Sequence, residues 1–144
     1  MMTGADVVAT ARGWMGVRFA HQGATRIGCD CIGLVAGVAV DLGIPEGRAF
    51  LLAGEFKGYG REPDPQMLLR ACGQFLNRIA LAQAGLGDIL LLKFAREPQH
   101  FAIVSSLAPL RIIHTYALAR RVTENSVDAV WRERIVGAFR YRGL

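Results

Sequence analysis

The sequence predicts an α+β fold, with N-terminal helices packed on a central antiparallel sheet. Two observations carry that expectation. In the first half of the chain, apolar residues recur at helical spacing behind residues that cap helices well. After Asn77 the pattern changes to short apolar runs divided by turn residues, and helices first with a meander of strands later is the α+β order. At 144 residues, 52% apolar and 20% charged, the chain has the length for one core and the composition of an ordered protein. A single domain over 1–144 is expected, without internal repeat or low-complexity segment.

Thr3 and Asp6 make a capping-box pattern, with aspartate in place of the usual glutamate. Val7, Val8, Ala11, Trp14 and Met15 line one face of the helix behind it. Residues 16–29, with Gly16, Gly23 and Gly28, read as a loop. Asp30 caps the next helix, whose Leu34, Val35, Val38 and Leu42 repeat until Gly43 and Ile44-Pro45 stop it. From Gly43 to Asp64 the chain is rich in glycine and proline and reads as a surface loop. Asp64-Pro65 then opens a third helix with Met67, Leu68, Ala71 and Cys72 as its apolar stripe. Strands are expected at 79–81, 89–94, 100–105, 111–116 and 136–141, and a short helix fits 126–134. Gly87-Asp88, Glu97-Pro98, residues 106–109 and Glu124-Asn125-Ser126 are the breaks, with Asp88 capping the start of its strand.

The chemistry centres on Gly28-Cys29-Asp30-Cys31-Ile32-Gly33-Leu34-Val35. Cys31 falls in the first turn of an apolar helix, where the positive end of the macrodipole favours thiolate, the nucleophilic form. Cys29 is the alternative nucleophile, but it precedes the cap and points away from the dipole. Cys72 lies on an apolar stripe, as a small core residue does. Two histidines follow on separate strand-like runs. Leu107 is the midpoint of His100 and His114 and lies inside the turn, so a symmetric, unbulged hairpin sets the two imidazoles opposite each other on one face. One would then serve as base for a thiol while the other fixes its tautomer; a bulge would undo the pairing. A cysteine first and histidines later is the ingredient set of a cysteine peptidase.

These residues follow an order that resembles NlpC-type cell-wall peptidases: Gly16-Val17-Arg18-Phe19, Asp30 to Val35, Gly87-Asp88-Ile89-Leu90, His100 to Val104, and Ile112-Ile113-His114. The stretch Gly28 to Val35, His21-Gln22 before it, and the ending Trp131-Arg132-Glu133-Arg134-Ile135 with Ala138-Phe139-Arg140 look most like the short form carried by tailed phages and gene transfer agents. The resemblance covers nearly the whole chain. It implies a papain-like fold and cleavage of γ-D-glutamyl to diamino-acid bonds in peptidoglycan stem peptides. In roles, it implies Cys31 as nucleophile, His100 as base and acid, His114 as its orienter, and the Cys31 amide in the oxyanion hole. Asp30 matches a residue that helps hold the stem peptide's free amino end. Phe19 stands where many members have tyrosine, and Ile32 where many have the serine that assists Asp30. His21, in a glycine-bounded loop beside the site, is placed for substrate contact or for solvent.

Cofactors are not expected: no Cys-x-x-Cys or His-Glu-x-x-His spacing supports a metal site. The longest apolar run, Cys31 to Val40, is too short to cross a bilayer, and no secretory signal pattern is visible. Synthesis in the cytoplasm is therefore expected, and the resemblance adds carriage in a phage-like tail, among hub or baseplate proteins, to act in the periplasm or wall of a target cell. Seventeen basic against twelve acidic side chains give +5, which suits an anionic partner such as cell wall. No nucleic-acid motif accompanies that charge. The rival expectations are a catalytically silent tail-hub or wall-binding subunit, and an amidase or transpeptidase using the same dyad.

Overall fold

A computed structural model describes residues 1–54, 58–60, 64–94 and 97–144. Among the described residues, the chain ahead of the sheet supplies four α-helices. Helix α1 (Gly4–Arg12) begins at the Thr3–Asp6 capping box, both halves of which form, and buries Val7, Val8 and Ala11. Trp14 is buried just beyond its end, whereas Met15 turns to solvent. The loop that follows contains a small hairpin, β1 (Ala24–Thr25) against β2 (Gly28–Cys29).

Helix α2 (Cys31–Asp41) is the hub of the helical layer. Every residue from Cys31 to Ala39 is buried, so the helix is enclosed rather than amphipathic. Two glycines let the chain close around it. A Cβ on Gly33 would overlap the Gly23 carbonyl, so glycine here lets the loop before Cys31 lie directly on the helix. Gly47 similarly lets α3 (Pro45–Leu52) pack onto Ala36, Ala39 and Val40.

Helix α3 replaces the loop expected after Gly43. Its proline at the first turn fits a helix start, but Ile44 offers no side-chain cap and Gly47 imitates a breaker. The rest of that expected loop falls in part on 55–57 and 61–63, outside the described residues. Helix α4 (Pro65–Phe75) starts as expected, with the Asp64 carboxylate accepting from the Gln66 amide and Met67, Leu68, Ala71 and Cys72 buried.

The second half forms a six-stranded antiparallel sheet, ordered β3-β8-β4-β5-β6-β7. Its strands are β3 (Leu76–Ile79), β4 (Ile89–Phe94), β5 (Glu97–Leu107), β6 (Leu110–His114), β7 (Thr123–Ser126) and β8 (Ile135–Tyr141). A short helix, α5 (Ala129–Glu133), precedes β8 with Asp128 as its cap. Phe101, Ile103 and Ile113 pack beneath the helices; Ala102, Val104 and Ile112 join a second cluster on the other face, with Trp131 against it. Across the layers, the buried Tyr141 hydroxyl donates to the Val35 carbonyl at 2.6 Å.

Three strand expectations need correction. Strand β3 starts at Leu76, directly after α4, and residues 81–83, expected in part as strand, form a 3₁₀ turn. Glu97-Pro98 is no break but the start of β5, which pairs with Lys93 and Phe94. Glu124-Asn125-Ser126, read as a break, belongs to edge strand β7. Its polar residues suit an exposed edge, and Glu124 is anchored by Arg12 at 3.0 Å and Arg111 at 3.7 Å. Asp88 caps less than it braces: its buried carboxylate takes two 2.8 Å bonds from Arg140 and one of 2.7 Å from the Gly85 amide.

Candidate active site

The N-terminus of α2 and the middle of the sheet meet at one cleft of roughly 340 Å³, lined by Phe19, His21, Asp30, Cys31, Phe94, His100, Thr115 and Tyr116 among others. Its size suits a segment of a small ligand or peptide. Of the residues expected to act on or bind substrate, Cys31, His100, Asp30, Phe19 and His21 line this cleft, and His114 touches it through His100.

Asp30 organises the helix start. One carboxylate oxygen caps α2 by accepting from the Gly33 amide at 2.7 Å; the other accepts from the Gln22 amide at 2.8 Å and from the Tyr59 hydroxyl. Gln22 reaches that oxygen from a left-handed backbone, φ 62°, and its side chain donates to the Tyr59 carbonyl at 2.7 Å. Tyr59 also sets its ring edge-on to His21, 5.4 Å between centroids. Sequence reasoning missed Tyr59, which stands in the glycine-rich segment with no neighbouring pattern to mark it. Residues 18–20 are threaded against β2: the Cys29 amide donates to the Arg18 carbonyl and the Ala20 amide to the Cys29 carbonyl, both at 3.0 Å. That threading brings Phe19 and His21 to the cleft.

Cys31 occupies the first helical position and is 7% exposed, while Cys29 is fully buried in β2 and does not line the cleft. The expectation of a favoured thiolate is not met. Burial, then the neighbouring Asp30 carboxylate, pushes the thiol up to about 12 against the pull of amide hydrogen bonds from Phe101, Ile32 and Cys31 itself. The helix start is as the sequence implied; the dehydration around it was not legible there.

His100 and His114 are joined, but by a different register from the expected one. The turn leaves Leu107 opposite Leu110 and Ser106 opposite Arg111, a pairing that carried onward would put the histidines on opposite faces. Ser105 is then bulged out, and beyond it Val104 faces Ile112 and Ile103 faces Ile113. The one-residue slip restores both imidazoles to one face as diagonal neighbours. Thus the bulge makes the pairing that it was expected to undo. A second bulge at Gln99 immediately precedes His100. The rings meet at 2.8 Å, Nε2 of His100 to Nδ1 of His114, and Nε2 of His114 meets Oδ1 of Asn125 at 2.7 Å.

Aromatic side chains enclose the pair. Phe94 stacks on His100 at 4.8 Å, Trp131 stands edge-on to His114 at 5.1 Å, and Tyr116 contacts both rings. Burial therefore holds His100 well below the usual imidazole range, helped by His114 and by the Arg134 guanidinium. Burial lowers His114 as well, against the hydrogen bond to Asn125. Among the described residues no hydrogen bond joins the Cys31 thiol to either imidazole. The resting groups are a neutral thiol and a neutral base sharing a cleft. Among the described residues, no group of three His, Cys, Asp or Glu side chains is gathered to hold a metal ion, and no helix is long and apolar enough to cross a membrane.

No family model and no curated protein sequence matches this chain. Solved structures do. The NlpC/p60 domain of the peptidoglycan hydrolase SagA superposes with a TM-score of 0.63 at 22% identity, over 96% of this chain and 98% of that one. The fold is the NlpC/p60 fold. An NlpC/P60 family protein from Bacillus cereus gives a TM-score of 0.69 at 17% identity, over 97% of this chain and 40% of its own length. A lipoprotein-like protein of the NLP/P60 family from Staphylococcus aureus gives 0.64 at 17%, over 96% of this chain and 41% of its own. The chain thus spans nearly all of the first and about two-fifths of the other two. As an NlpC/p60 fold it has the expected α+β architecture, with Cys31 at the helix start and the histidines on neighbouring strands.

Proposed function

We propose that this protein is a peptidoglycan hydrolase, a cysteine endopeptidase that cleaves stem peptides at the γ-D-glutamyl to diamino-acid bond. The observation that carries the reading is one cleft lined by Cys31 and by His100, with His114 hydrogen-bonded behind it at 2.8 Å. The fold is that of a domain from a named peptidoglycan hydrolase, which supports the substrate class. In this mechanism His100, neutral through burial, takes the Cys31 proton as the sulfur attacks the scissile carbonyl. It then gives that proton to the leaving amine. The Cys31 amide, in the first turn of α2, serves the developing oxyanion. Water completes the cycle by hydrolysing the thioester. Asp30, Phe19 and His21 line the same cleft, and the family resemblance supports Asp30 as the residue that helps hold the stem peptide's free amino end.

Carriage in a phage-like tail, with hub or baseplate partners and action at a target cell's wall, is supported by the sequence resemblance around Cys31 and in the ending from Trp131 to Arg140. A second reading has a specific observation in its favour: the high thiol pKa and the missing thiol–imidazole hydrogen bond fit a catalytically silent subunit of such a tail. Incubating the purified protein with muropeptides and weighing the fragments decides between them. A γ-D-glutamyl to diamino-acid cut supports the endopeptidase, loss of the whole stem from the glycan indicates an amidase, and intact muropeptides favour the silent subunit. Tail particles from a producing culture should contain the protein; its presence only as free protein would refute the delivery role.

A further inference from the structure

The polar row in the sheet does not end at the histidines. The β5–β6 ladder ends on the Ile103–Ile113 pair, and its register carried one residue on sets His114 level with Ala102; in the β6–β7 ladder His114 lies opposite Thr123. His100 and Asn125 are therefore its two diagonal neighbours on one face, so the three side chains run across three strands at the same stagger. We infer that Asn125 is a positioning residue that sets the tautomers of both histidines and thereby leaves Nδ1 of His100 as the proton acceptor. The inference rests on the peptidase reading for its catalytic meaning, and on hydrogen-bond chemistry for its structure.

The argument starts at a backbone carbonyl. Nδ2 of Asn125 donates to the Ser126 carbonyl at 3.2 Å. Turning the amide over would set its oxygen against that carbonyl, two acceptors facing each other, so Oδ1 is fixed towards His114. Oδ1 only accepts, so Nε2 of His114 must carry the hydrogen across their 2.7 Å contact. A neutral imidazole has one N–H, which leaves Nδ1 of His114 as an acceptor. Nε2 of His100, 2.8 Å away, is then the donor to it. The neutral His100 ring has its hydrogen on Nε2 and its lone pair on Nδ1. Each hydrogen position follows from the one before, and no net proton moves. When His100 takes a proton, Nδ1 becomes N–H and the same row of acceptors stabilises the cation. Sequence reasoning had Asn125 in a loop break, and only the edge strand β7 brings it here.

Histidine-¹⁵N-labelled protein tests this through long-range ¹H–¹⁵N correlation spectra, which distinguish the two neutral tautomers without substrate. The wild type should show both His100 and His114 protonated at Nε2. Asn125→Ala should put His114 into a mixture of tautomers. In that variant kcat for muropeptide cleavage should fall about tenfold or more with KM within about twofold, part of the roughly 10²–10⁴-fold that a positioned base supplies. Asn125→Asp, which keeps an acceptor, should restore the Nε2–H tautomers and most of kcat. An Nδ1–H on His114 in the wild type overturns the inference, even if the Ala variant fails to fold. So do unchanged tautomers in a folded Asn125→Ala protein, or changed tautomers with unchanged kcat. These spectra answer independently of the peptidase reading, which stands or falls on loss of cleavage in Cys31→Ala.

Discussion

With the Cys31 thiol pushed up to about 12 and His100 held neutral, the cleft rests as thiol and imidazole and not as an ion pair. In the proposed mechanism, proton transfer then accompanies attack, which is general-base chemistry rather than attack by a preformed thiolate. Alkylation by iodoacetamide should report this directly. At about pH 7, Cys31 should react more slowly than a free cysteine, with a rate that climbs as pH rises through the thiol range. A fast rate, flat from about pH 5 to 8, would mean an ion pair and contradict the account. Position was legible at this scale: the Asp30 cap, the apolar spacing and the two histidines were all readable from residue types. Burial was not, because the aromatic box of Phe94, Tyr116 and Trp131 is assembled from segments far apart in sequence. Asp30 illustrates the same limit, since its cap was visible and its Tyr59 and Gln22 partners were not. Asp30→Ala should cost about 1–2 kcal/mol in chemical denaturation through loss of the cap. No loss of stability would mean that the Gln22 and Gly33 amides find other acceptors.

The bulge at Ser105 is the element that lets His100 and His114 meet in this sequence. Side chains alternate faces along a strand, so whether Ser105 is bulged out or paired decides whether His100 and His114 share a face. Deleting Ser105 removes only the unpaired residue and joins Val104 to Ser106, so the Val104–Ile112 and Ile103–Ile113 pairs, the contact between the imidazoles and most of the muropeptide cleavage should survive. Loss of the His100–His114 hydrogen bond in a folded deletion variant, seen by NMR, would show that the bulge itself, and not the register beyond it, holds the two rings together. A symmetric hairpin about Leu107 led to the right pair of residues through the wrong geometry, because turn and bulge each shift the register and their sum keeps the histidines together. Helices α1, α2 and α4 announced themselves by capping residues and apolar spacing. Helix α3 and strand β7 did not, since one carries Gly47 for a close crossing and the other is a polar edge with weak intrinsic preference for strand.

Across the whole molecule, two imidazoles are buried in neutral form, and this makes folding depend on pH. Both are lowered from the ordinary imidazole value of about 6.5, so below that value the unfolded chain binds protons that the folded chain does not. Their contribution is complete above about pH 6.5 and is lost as pH falls, by up to about 1.4 kcal/mol per pH unit for each histidine. Denaturation midpoints should drop between about pH 7 and 5, and His100→Gln should flatten that slope; an equal slope in the variant would assign it to carboxylates. The architecture was readable at this scale because order and class of elements survive small errors of register and boundary. The central claim is that Cys31 performs chemistry on peptidoglycan, and one measurement addresses it most directly: mass-spectrometric analysis of muropeptides digested by the wild type, Cys31→Ala and Cys29→Ala. The account predicts stem-peptide fragments from the wild type and from Cys29→Ala, with cleavage by Cys31→Ala reduced by roughly three orders of magnitude or more while the protein stays folded. Fragments produced equally by Cys31→Ala, or by none of the three proteins, would contradict it.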